Sequence, residues 1–172
     1  MGDGLRLLSA LETIRETFSA WSLKDRIIGQ KKVYFVQEMG IPLGYRFRWY
    51  LYGPYSFDLG SEAFELAAMT PLNENFDVHL PEIYSSSLGK LESFFGEVKQ
   101  LPAKENELET ERFWFELASS IHFLVHKAYP PETSMQGVVE KIEQEKPEYG
   151  PEDVQIAVGL LQRHGLLRSD FA

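Results

Sequence analysis

The chain has no cysteine and only four histidines among 172 residues. Without thiols there can be no disulfide, no thiolate zinc site and no cysteine nucleophile, and the composition fits a reducing compartment. Long apolar runs are missing too, since none approaches the ~20 residues of a membrane span. The first segment, MGDGLRLLSALETIRE, is interrupted by acids and helix formers too early for a signal peptide. The expectation is a soluble, cytoplasmic protein. Internal repeats, low-complexity tracts, a G-x-S-x-G turn, a phosphate loop and a dinucleotide fingerprint are also lacking, so no motif implies a cofactor.

Positive charge is scarce as well, with 17 Lys and Arg against 26 Asp and Glu and a net charge of −9. That balance argues against a general nucleic-acid coat. The deficit is uneven. Residues 1–60 carry +2 and the remainder −11, while residues 22–55 alone carry +4 from Lys24, Arg26, Lys31, Lys32, Arg46 and Arg48 against Asp25 and Glu38. Such a basic segment serves either an external partner or attraction to the acidic half within the fold.

A chain of this length suits one domain and can bury roughly 70% of its unfolded surface. Leu7, Leu11, Ile14, Phe18 and Trp21 recur at helical spacing and predict a helix over 5–21. A second helix is expected over 24–39, ended by Gly40 and Pro42. Tyr45–Tyr52 reads as a strand, and Gly53-Pro54-Tyr55-Ser56 as a turn into a helix over 57–68 capped by Ser56. A short strand is expected at 76–80, then helices at 82–101, 110–128, 135–145 and 153–164. The 110–128 helix is apolar on most sides, which marks a central element. The expected fold is mainly helical α+β: a helical bundle with a small antiparallel sheet, winged-helix-like in its N-terminal half. It forms a single domain over 1–172, with a helix-and-strand half over 1–101 and an acidic helical half over 110–172.

The stretch YRFRWYLYGPYS, residues 45–56, holds six aromatics and two arginines. On a strand, Tyr45, Phe47, Trp49 and Leu51 would face the core, and Arg46, Arg48, Tyr50 and Tyr52 the other side. Guanidiniums beside phenols suit stacking on bases, phosphate contact or the carboxylates of a protein partner. The alternative is that both arginines pair with the acidic half. In the preceding helix Lys31 and Lys32 fall within an apolar arc, where a lysine snorkels or meets an acid. A further alternative has Lys31 facing the strand end and holding an anionic group.

Gln30–Tyr34 (QKKVY), Gly40–Ser56 (GIPLGYRFRWYLYGPYS) and Trp114–Leu124 (WFELASSIHFL) together resemble the YwgA-like proteins of bacteria and archaea. That group is distantly similar to the Panacea domain, which includes SocA-like antitoxins. The shared pattern is a Gln-Lys helix, an aromatic strand, Gly-Pro-Tyr-Ser opening a helix, and a later Trp-x-Glu-Leu helix. Matching positions include Gln30, Lys31, Tyr34, Tyr45, Phe47, Tyr50, Gly53, Pro54, Tyr55, Ser56, Trp114, Glu116 and Leu117, over about two thirds of the chain. Lys32 departs from the pattern, where an apolar residue is expected. The resemblance implies binding of protein partners such as a toxin or a protease system, and implies no catalytic residues.

Two constellations could carry chemistry. His122 and His126 form an H-x3-H pair that could bind a metal if His79, His164 or a distant acid completed the site. Asp77 followed by Glu97 and Lys99 imitates a metal-dependent nuclease set, although the Glu97 segment keeps a helical pattern. The last two helices outline a helix-turn-helix, but residues 131–172 carry −4, which opposes phosphate contact. The leading expectation is a non-enzymatic interaction module, antitoxin- or adaptor-like, whose surface comprises Lys31, Arg46, Arg48, Tyr50, Tyr52, Tyr55 and Ser56. A nucleic-acid-binding winged-helix regulator is the alternative, and a metal-dependent hydrolase a third. A protein is the expected partner, with nucleic acid or a second copy as the other candidates, and no membrane.

Overall fold

In the computed structural model, which describes residues 3–69 and 80–172, Asp3 opens the first helix by accepting the amide of Arg6. Helix α1 (Gly4–Thr13) ends earlier than the apolar spacing predicts. Arg15 takes φ 58°, a left-handed conformation that disfavours side chains by about 1–2 kcal/mol. The chain turns there, and Phe18 and Trp21 no longer share a helix face. Phe18 reaches the core, whereas Trp21 is 68% exposed.

Ser22 and Asp25 form a capping box that starts α2 (Leu23–Glu38). The strand expected over 45–52 is shorter and is followed by a second. β1 (Arg48–Tyr50) pairs antiparallel with β2 (Gly53–Tyr55), with Arg48 opposite Tyr55, Trp49 opposite Pro54 and Tyr50 opposite Gly53. The turn is therefore Leu51-Tyr52, and Gly53-Pro54 is strand. Gly53 supplies the only positive φ within the hairpin, +80°, which places a left-handed residue directly after the two-residue turn. Leu51, expected on the core face, is 72% exposed at this tip.

Helix α3 (Phe57–Met69) follows directly. A 3-10 turn at Glu82–Tyr84 leads into α4 (Ser85–Val98). Asn106 caps α5 (Glu107–His126), Ser134 caps α6 (Met135–Glu145), and Pro151 occupies the first position of α7 (Pro151–Arg163). The strand expected over 76–80 lies outside the described residues except for Leu80, as do Asp77 and His79.

Helix α5 is central, as its apolar circumference predicts. Residues 113–124 are all buried, and the helix packs against α2, α4, α6, α7 and β2. Burying each of its Phe and Leu side chains contributes roughly 1.5–3 kcal/mol. One continuous apolar core runs from Leu7 to Leu167 through both halves of the chain. The fold is thus mainly helical, with seven α-helices and a two-stranded antiparallel sheet among the described residues. None of these helices is long and apolar enough to cross a membrane.

Candidate interaction site

Two strands of three residues cannot stand alone, so the hairpin depends on what clamps it. Helix α2 supplies three side chains for this. Gln37 donates to the Tyr45 carbonyl at 2.9 Å and accepts from its amide at 2.8 Å. Gln30, seven residues earlier and so on a similar face, does the same for Ser56 at 3.0 and 2.9 Å. Between them Lys31 Nζ donates to the Pro54 carbonyl at 2.6 Å. Side-chain amides thus satisfy buried backbone groups that a third strand would otherwise pair. This gives the Gln-Lys pair of QKKVY a structural meaning.

A second clamp comes from the C-terminal half. Glu116 on α5 is fully buried and accepts from Lys146 Nζ at 2.6 Å and from Arg112 at 2.8 Å. Lys146, 3% exposed, also donates to the Leu51 carbonyl at 3.0 Å. Trp49 donates its indole N–H to Glu145 at 2.6 Å and packs against Phe123. Gly53 lies so close to α5 that a Cβ on it would overlap Ser120 Oγ. Gly53→Ala is expected to lower stability by at least about 1–2 kcal/mol, from the left-handed backbone alone, as read by urea denaturation. No loss would mean the hairpin can shift off α5.

Lys31 is 1% exposed, so it does not snorkel to solvent, and it touches no acid among the described residues. Its ammonium has three donors and one acceptor among the described residues, the Pro54 carbonyl. Burial pushes its pKa down to about 7; Glu116 pulls it back up and Lys146 adds to the depression. Lys32, by contrast, meets acids: Glu16 at 2.6 Å and Glu111 at 3.4 Å. An ion pair therefore fills the place where the YwgA-like pattern leads one to expect an apolar side chain. Ser56 is fully buried, with its hydroxyl capping α3 through the Leu59 amide.

The outward face of the hairpin carries Arg46, Arg48, Tyr50 and Tyr52, all exposed. Opposite residues in an antiparallel pair share a face, so Tyr55 stands beside Arg48. Tyr50, Tyr55 and Phe57 form a ring cluster with centroids 5.1–5.7 Å apart. Neither Arg46 nor Arg48 has an ion-pair or hydrogen-bond partner among the described residues. Internal pairing with the acidic half is therefore not what occupies them.

Behind this face, between α2, the hairpin and α3, opens a pocket of about 200 Å³. Ile27, Leu59 and Ala63 form its apolar wall; Tyr50, Tyr52 and Tyr55 line its hairpin side, with Arg26 and Lys31 among its polar groups. The Arg26 guanidinium donates to the Ala20 carbonyl at 3.2 Å and lies 5.9 Å from the centre of the Phe64 ring. Sequence reasoning misses the pocket and the place of Arg26 in it, because α2 and α3 meet the hairpin only in the folded chain.

The chemical constellations resolve differently. His122 Nδ1 shares a 2.7 Å hydrogen bond with the Tyr34 hydroxyl, and His126 Nε2 bonds the Leu166 carbonyl at 2.9 Å. The two rings are neighbours at 4.6 Å. Burial, with His126 and Lys127 nearby, pushes His122 down to about 3, so it is neutral at ordinary pH. No three His, Asp or Glu side chains converge on a metal-sized site among the described residues. Glu97 binds Arg163 and His164, whereas Lys99 turns to Glu16. Glu97 and Lys99 therefore serve separate ion pairs at the end of α4. No family model matches the chain, and neither a curated protein nor a solved structure matches it.

Proposed function

We propose that the protein is a non-catalytic interaction module that holds a protein partner on the outer face of the hairpin and at the adjoining pocket. The antitoxin- or adaptor-like character of that module rests on the resemblance of the QKKVY, aromatic-hairpin and WFELASSIHFL stretches. One observation supports the location. Of the 17 lysines and arginines, six have no carboxylate partner among the described residues: Arg15, Arg26, Lys31, Arg46, Arg48 and Lys90. Four of them, Arg26, Lys31, Arg46 and Arg48, gather at the hairpin and its pocket. On a chain of net charge −9, with acids available to neutralise them, this is the region where positive charge is left unspent. Exposed Tyr50, Tyr52, Phe57 and Leu51 surround it. Aromatic residues and arginine at one patch are the composition of interface hot spots.

The test is capture from native-host lysate, with and without nuclease, on wild type and on an Arg46→Ala/Arg48→Ala variant. The expected result is a protein retained by wild type and lost from the variant. Because both side chains are exposed and have no partner among the described residues, the variant's stability should stay within about 0.5 kcal/mol of wild type. Equal capture by both proteins would overturn the proposal. So would recovery of nucleic acid alone, removed by nuclease and falling steeply with salt as counterion release requires.

A further inference from the structure

We infer that the pocket and the arginine face together read a short acidic segment of the partner carrying one large apolar side chain. The inference rests on the interaction-module reading and adds the chemistry of what is bound. The pocket's size limits the occupant. At about 200 Å³ it lies below the roughly 300–1,000 Å³ of sites for drug-sized ligands, and it suits a single side chain. Its wall is apolar, from Ile27, Leu59 and Ala63, which calls for an aromatic or branched aliphatic anchor.

Charge then selects what flanks the anchor. Arg26 lines the pocket and spends one hydrogen bond on the Ala20 carbonyl, out of the five donors a guanidinium has. Arg48 projects on the same face as Tyr50 and Tyr55, with Arg46 two residues before it. Guanidiniums that meet no carboxylate among the described residues, on a protein rich in acid, are complementary to carboxylates and repel a basic segment. A segment with its apolar residue in the pocket would therefore place neighbouring Asp or Glu on Arg26 at one side and on Arg48 and Arg46 at the other. A run of phosphates is less well matched. Three arginines offer fewer contacts than the 6–10 of a typical nucleic-acid footprint, and an apolar cavity has no use for a sugar-phosphate chain.

The probe is a random short-peptide library displayed on phage, selected against the intact protein. The expected consensus is one large apolar residue with Asp or Glu on both sides. The selected peptide, synthesised with a fluorophore, should bind Arg48→Glu at least about tenfold more weakly than wild type. Exchanging the peptide's acids for lysine should restore binding to that variant. Gly60→Ala tests the pocket separately. A Cβ on Gly60 would overlap the Tyr55 hydroxyl, so the ring must swing, while the helix around it gains propensity. Anchor binding should fall with the thermal melt unchanged. A consensus without acids, no enrichment over background, or binding indifferent to both variants would overturn the inference. Arginine-dependent capture of a protein from lysate would still stand in that case, so failure here is distinct from failure of the interaction-module reading. Displacement of the selected peptide by oligo-dT at low salt would overturn both.

Discussion

Glu116→Ala is expected to cost about 3–5 kcal/mol of unfolding free energy. The carboxylate is the only acid that both Lys146 and Arg112 reach among the described residues; Arg112 has Glu109 as a second partner, but Lys146 has none. Removing it strands an ammonium that is 3% exposed, and a buried charge without a counter-ion is far costlier than a lost surface pair. The damage should also spread to the hairpin, because the same ammonium holds the Leu51 carbonyl at the turn. Guanidinium denaturation measures the loss. Replacing Lys146 with Met in the same chain should return much of it, since an apolar side chain of similar size needs no counter-charge. A loss below about 1 kcal/mol would mean that water reaches Lys146 and that the clamp is not dry.

Lys31→Met should show an effect that changes with pH. The native lysine has its pKa pushed down to about 7, against ~10.4 in an unfolded chain. Below pH 7 both states carry the proton, and the folded protein bears the full penalty of a buried ammonium. Between about pH 7 and 10.4 the folded state has released the proton and the unfolded state has not. The unfolded state then binds more protons, and the stability of the wild type rises with pH by about 1.4 kcal/mol per unit. Methionine does not titrate. The variant's stability relative to wild type should therefore be most favourable below pH 7 and decline steadily above it. Denaturation midpoints measured on both proteins from about pH 6 to pH 9 would display the divergence. Parallel curves would show that Lys31 stays charged throughout, held by Glu116 rather than neutralised by burial.

These two residues show where sequence reading stops. Lys31 and Glu116 stand in QKKVY and WFELASSIHFL, and neither stretch predicts a buried cation or a buried anion. A helical wheel places Lys31 in an apolar arc and can only offer snorkelling, an acid or a bound anion. Its actual acceptor is the Pro54 carbonyl, 23 residues on, and Glu116 finds Lys146 30 residues on. Local periodicity carries no information about such partners. Composition also misplaces the hairpin turn. Gly-Pro reads as a turn, yet Gly53 sits one residue past the turn and Pro54 lies inward without needing a ladder donor. The first helix comes out too long because Phe18 and Trp21 continue the spacing, and periodicity cannot register the reversal at Arg15.

The class of fold and the chemistry to be excluded follow from the amino-acid sequence alone. Apolar residues at helical spacing, a cap at Ser56 and a helix apolar on most sides specify a helical bundle organised on α5, because burial and capping are local requirements. Absence of thiols and the net charge of −9 are likewise properties of composition. Which charges are spent is settled by tertiary structure. Most lysines and arginines meet a carboxylate when the chain folds, and among the described residues Arg26, Arg46 and Arg48 do not. The hairpin turns Arg46 and Arg48 outward, Arg26 faces the pocket, and Glu116, Glu145 and Glu97 are taken by Lys146, Lys141 and Arg163. An ion pair needs two groups within a few ångströms, and that distance is a property of the packed chain.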